Sequence, residues 1–163
     1  MVEVSVSLIQ IVYGLLAYVS IGIVLVAIAW SDVRTRRIPN QLIVALLIIR
    51  AVIFVLELLG GAVGHALVLL AQSVVIAGGT TAFLVGLKLV LDRIMQEDCL
   101  GWGDVKLVAA GCLFLSVEGS FSALLVASVA GLVLALGFRF FAKDRTFPFG
   151  PALCLGIAFG LFV

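Results

Sequence analysis

Ser31-Asp32-Val33-Arg34-Thr35-Arg36-Arg37-Ile38-Pro39-Asn40 is a polar, basic break between two apolar runs, Leu8 to Trp30 before it and Gln41 to Leu59 after it. As helices, runs of this length cross a hydrocarbon core of about 30 Å at a rise of about 1.5 Å per residue. The whole chain shares that character. Its 163 residues are 64% hydrophobic and 12% charged, with a mean hydropathy of +1.38, far from the range of a soluble domain. An all-α, polytopic membrane protein follows, built as a single domain because almost every residue falls in an apolar run or a short connection. The net charge of +1 gives no reason to expect nucleic acid as a partner. The lipid bilayer is the expected one.

Outward from this break, the spacing predicts six transmembrane helices, at about 8–30, 41–59, 66–91, 105–117, 121–141 and 149–163. Trp30 suits the interfacial belt, and Pro39 marks the restart of the second helix. A glycine-rich turn, Gly60-Gly61-Ala62-Val63-Gly64, leads to the third. Polar Asp92-Arg93-Ile94-Met95-Gln96-Glu97-Asp98 separates it from Gly101-Trp102-Gly103-Asp104, which opens a fourth run too short for a full crossing. Asp104 therefore belongs below the membrane surface. Six spans put both termini on one side. Arg34, Arg36, Arg37, Lys88, Arg93, Lys106, Arg139, Lys143 and Arg145 flank the three connections of one face, while Glu3, Glu57, His65 and Glu118 lie toward the other. By the positive-inside rule the basic face is cytoplasmic and the termini are not.

Small residues recur at four-residue spacing, as Gly78, Ala82 and Gly86 in the third run and Gly156 and Gly160 in the sixth, and imply close helix packing there. Cys99, Cys112 and Cys154 show neither CxxC spacing nor a neighbouring histidine cluster, so free thiols are expected, with no metal site and no cofactor. No basic residue precedes Arg34, so the first apolar run lacks the form of a cleaved signal peptide and is expected to stay in the mature protein. Arg50 falls near mid-membrane, about 15 Å beyond Asn40. It should face the bundle or a wet cavity, with Glu57, two turns on, too far for a direct pair.

Asp32 and Asp104 end up at one depth on one face. Two carboxylates in a partly desolvated place do not both ionise cheaply, so they share a proton and titrate as a unit. Such a pair suits peptide hydrolysis, one member taking a proton from water while the other donates to the scissile carbonyl. Gly101 and Gly103 would let an extended substrate approach Asp104, and Trp102 serves as a wall or an interfacial anchor. Other readings stay open. Asp104 alone is a good helix N-cap, and Asp32 alone could pair with Arg34 or Arg36. The two acids could also bind cations or relay protons in a small transporter or channel subunit, although no acid continues across the core.

Gly101-Trp102-Gly103-Asp104-Val105-Lys106-Leu107 resembles the GxGD motif of the type IV prepilin peptidases and archaeal preflagellin peptidases. Asp32 with Arg34, Ile38, Pro39 and Asn40 resembles their first aspartate motif, and Phe147-Pro148-Phe149-Gly150-Pro151 their late proline-glycine segment. The resemblance implies a membrane aspartic endopeptidase with Asp32 and Asp104 as the catalytic pair. Gly101, Trp102, Gly103, Pro39, Pro148 and Gly150 would shape the site. Prepilin-like precursors would be the substrates, cleaved after a leader glycine on the cytoplasmic side of the inner membrane. Beginning at its first span, the chain resembles the short form associated with Flp/Tad-type pili, so methyltransferase activity is not expected.

Overall fold

The computed structural model describes residues 2–59, 63–96, 100–141 and 149–163, and the side chains of all of these except 2–13, 65, 95 and 138–141. The turn glycines Gly60 and Gly61, Cys99, the Lys143-Asp144-Arg145 loop and Pro148 lie outside the described residues, as does the side chain of His65. Among the described residues all regular structure is helical: α1 Val2–Thr35, α2 Asn40–Leu59, α3 Val63–Met95, α4 Trp102–Cys112, α5 Val117–Phe141 and α6 Gly150–Gly160.

Four of the six, α1, α2, α3 and α5, are long and apolar enough to cross a membrane. The other two are half-length. At 11 residues each, α4 and α6 reach only about 16 Å by the usual rise. Their burial explains how they persist. Six of the 11 residues of α4 and seven of α6 are buried, whereas the long helices turn large apolar side chains outward, as at Val26, Val75 and Leu125. Long helices thus face lipid and the short ones fill the middle. The core joins Ile21, Leu25 and Ile28 of α1 and Leu46 of α2 to Leu107 and Cys112 of α4 and Leu153 and Ile157 of α6.

Several bounds differ from the spacing-based expectation: α1 and α3 run longer than 8–30 and 66–91, α6 stops short of 163, and capping explains the shifts of the fourth and fifth helices. The fourth helix spans 102–112 rather than 105–117, because Gly101 is its N-cap and the chain leaves the helix at Leu113. The fifth starts at Val117 rather than 121. The hydroxyl of Ser116 accepts the Gly119 N–H at 2.8 Å, so Glu118 and Gly119 enter the first turn. The exits of α1 and α3 are closed by Arg36 and Gln96 in the left-handed region, at φ 51° and 55°. Each donates its N–H back four residues, Arg36 to the carbonyl of Asp32 and Gln96 to that of Asp92.

Close helix packing holds for one of the two expected stripes. Gly156 lies against the backbone carbonyl of Ala123, and Gly160 against that of Gly119, so α6 packs on the small-residue face of α5 formed by Gly119, Ala123 and Ala127. The stripe on α3 does not pack in this way. Gly78 and Gly86 have no atom near the position of a would-be Cβ, and Ala82 is exposed. Residues of similar size meet a helix in one case and open space in the other, because the pattern requires a partner face. Gly156→Ala should therefore destabilise the chain by about 2 kcal/mol, since the methyl meets backbone that cannot rotate away. Gly78→Ala should be neutral within about 0.5 kcal/mol. Unfolding titrations in mixed micelles would read the difference.

Candidate active site

Asp32 lies one turn before the end of α1 and is only 7% exposed. What receives it there is the start of α6. The backbone N–H of Gly150, the first residue of that helix, donates to Oδ2 of Asp32 at 2.8 Å. This satisfies one of the donors that every helix N-terminus leaves over, and sets the carboxyl group at the positive end of the helix dipole. The contact leaves no room for a side chain on its partner. A Cβ at position 150 would lie 2.6 Å from Oδ2 and 2.8 Å from Cγ of Asp32.

Asp104 is the third residue of α4, not its cap. The capping position belongs to Gly101, whose backbone hydrogen-bonds to the Asp104 carboxyl group. This is the reach-back of an acid at the third helical position. A Cβ on Gly101 would stand 3.1 Å from Asp104 Oδ2. Burial pushes the Asp104 carboxyl up from 3.8 to about 6, and the charge of Asp32 pushes in the same direction, against the opposing effect of the Gly101 hydrogen bond. The two acids thus feel each other across the site.

Direct contacts tie together the three segments that carry them. Ile38, from the connection after Asp32, packs on Gly103, where a Cβ would lie 3.3 Å from its own Cβ. Pro39 opens α2, its carbonyl accepting the Leu42 N–H at 3.1 Å, and so fixes where Ile38 stands. Phe149, the N-cap residue of α6, lays its ring against Gly131 of α5. Cys154, one turn into α6, interacts with the Ala29 backbone and lies within electrostatic reach of both aspartates. Of the residues expected at the site, Gly150 contacts Asp32, Gly101 contacts Asp104, Gly103 contacts Ile38, and the two acids influence each other electrostatically. Trp102 is 57% exposed, as an interfacial anchor would be.

Lys88 was missed as more than an orientation charge. It is 3% exposed. Its Nζ donates to the Leu100 carbonyl at 2.7 Å, pairs with Asp92 at 2.8 Å and stands 5.5 Å from the Trp102 ring centre. It therefore anchors the chain just before Gly101. The signal lay in the sequence as an acid four residues after a lysine among Leu87, Leu89 and Val90.

An all-helical bundle with apolar outer faces, carrying two electrostatically coupled acids on different helices, defines the class of protein. The sequence profile of the type IV leader peptidase family matches residues 19–136, and the chain belongs to that family. It is also 37% identical over 70 residues to a prepilin leader peptidase/N-methyltransferase of Pectobacterium carotovorum subsp. carotovorum, an alignment covering 41% of this chain and 25% of that relative. The chain thus spans about a quarter of the length of that curated relative. No solved structure matches it.

Two outcomes test this geometry. Gly150→Ala should disrupt the site, because the methyl displaces Asp32; in micelles its unfolding should come at least about 1 kcal/mol earlier than wild type. Stability should also depend on pH through Asp104. A folded value near 6 against an ordinary 3.8 means that the folded chain holds the extra proton in that window. Stability is therefore fully present below about pH 4 and falls as pH rises through about 6. Asp104→Asn should flatten that decline in thermal unfolding curves, and an equally steep decline in the variant would contradict it.

Proposed function

We propose that the chain is a membrane-embedded aspartic endopeptidase that removes the leader of prepilin-like precursors at the cytoplasmic membrane face, hydrolysing the bond after a leader glycine. The observation that carries this is the electrostatic influence of Asp32 on Asp104, from two different helices, in a chain of the type IV leader peptidase family. Residues 1–163 form one peptidase domain. Its basic connections lie in the cytoplasm and its termini on the other side, with six membrane segments of which α4 and α6 reach only part-way.

The proposed roles follow from the surroundings of each acid. Asp32 accepts a backbone N–H at a helix N-terminus and acts as the base, taking a proton from the attacking water. Asp104 holds its proton toward neutral pH because it is buried beside Asp32, and donates it to the scissile carbonyl oxygen as the tetrahedral intermediate forms. At pH 7 an acid titrating near 6 is protonated in about one molecule in ten. That fraction is sufficient for a group that must both give and regain a proton. Gly101 and Gly103 keep the approach to Asp104 free of side chains.

Co-expression with a candidate prepilin, followed by leader removal on a gel, tests the proposal. Asp32→Asn and Asp104→Asn should each slow cleavage by at least about 100-fold, the scale of general acid–base catalysis. Cleavage that survives both substitutions would sink the assignment. The proposed pair activates water without a metal, so cleavage should persist in chelator. Rate should fall as pH rises above about 6, where Asp104 loses its proton.

A further inference from the structure

We infer that Arg50 is a positioning residue: it caps the membrane-buried end of α4 and so sets the depth at which that helix presents Asp104. Its bearing on catalysis rests on the peptidase reading; the capping role does not.

A helix that stops inside a membrane leaves carbonyl groups with no water to accept from, and lipid supplies no donor. Those at the end of α4 can be followed one by one. The carbonyl of Gly111 accepts the Phe114 N–H at 3.0 Å and that of Cys112 the Leu115 N–H at 3.3 Å, both through tight turns. The carbonyl of Leu113 accepts Nε–H of Arg50 at 3.0 Å. Arg50 is 8% exposed, and its remaining nitrogens tie the same point to two more places. Nη2 donates to the Ser73 hydroxyl of α3 at 3.4 Å, while that hydroxyl donates to the Leu69 carbonyl. Nη1 stands 3.8 Å from Oε1 of Glu57, so the pair expected to be too distant across two turns does form.

The depths agree independently. Arg50 lies ten residues into α2 and Leu113 eleven residues beyond the first residue of α4, each about 15 to 17 Å from starting points that Ile38 and Gly103 hold in contact. A positive side chain near a helix C-terminus also suits the dipole. Beside it is a cavity of about 420 Å³ bordered by Arg50, Glu57, Gln72, Ser73 and the irregular backbone of Leu113 to Ser116. Non-helical backbone at membrane depth is tolerated in such a place. With only 11 residues and its far end fixed by Arg50, α4 moves as one rigid piece. Slippage at Leu113 is then displacement at Asp104.

Hydrogen exchange of the purified full chain in detergent, read with kcat and KM for prepilin cleavage, tests this. Arg50→Leu should speed exchange at residues 110–115 at least tenfold, with α1 and α5 unchanged, and lower kcat at least tenfold with KM within threefold. Displacements of about 1 Å cost up to about 100-fold in rate. Arg50→Lys, which keeps the charge and a donor, should recover most of the lost kcat. If Arg50→Leu does not accumulate, the double variant Arg50→Leu/Glu57→Leu, which leaves no buried charge unpaired, should show the same pattern. Wild-type exchange at 110–115 in the folded variant, equal acceleration in every helix, or no recovery with lysine would overturn the inference. If the wild type cleaves no prepilin, the peptidase reading fails while the exchange result still decides the capping role.

Discussion

The hydrogen bond from the Gly150 N–H to Oδ2 of Asp32 joins points 118 residues apart, and much of the bundle depends on it. It requires a glycine at 150, because any Cβ there would overlap the carboxyl group. It seats α6 against α1, and the glycines of α6 then fit the small-residue face of α5. One acid thus satisfies a helix terminus and fixes three helices. A buried carboxylate without such a donor would be costly, so the site and the packing stabilise each other.

A second constraint follows from the short central helices. Among the described residues four helices are long enough to span, yet α4 and α6 carry more than half of their residues out of contact with the surroundings. Their ends fall inside the protein, where backbone groups need partners from other elements. Asp32 provides one at the start of α6, Lys88 one just before α4, and Arg50 one at the far end of α4. Three of the buried polar side chains, Asp32, Lys88 and Arg50, thus hold backbone groups at or beside the ends of the short helices.

That logic also marks how far the sequence was legible. Apolar runs and basic connections located every helix, since burial in lipid and the interruption of long runs are one-dimensional signals. Asp32, Asp104 and the glycines around them could be read because each sits at a run boundary, where a carboxylate or a paired glycine is conspicuous. What could not be read depends on partners. Ser116 reads as the end of the fourth helix and Glu118 and Gly119 as a loop, whereas the Ser116 hydroxyl accepts the Gly119 N–H at the start of the fifth; Gly78 reads as a packing residue, whereas its position is open. Arg50 was visible as an oddity. Its role required knowing that α4 stops beside it, sixty-three residues away in the chain.

The central claim is that Asp32 and Asp104 form one electrostatic unit. Infrared difference spectroscopy of the carboxyl C=O band, in the full chain with and without Asp32→Asn, tests it most directly. The account predicts that Asp104 titrates near 6 in the wild type and at a lower pH once the neighbouring charge is removed. A titration of Asp104 that stays in place or moves upward in the variant would contradict it.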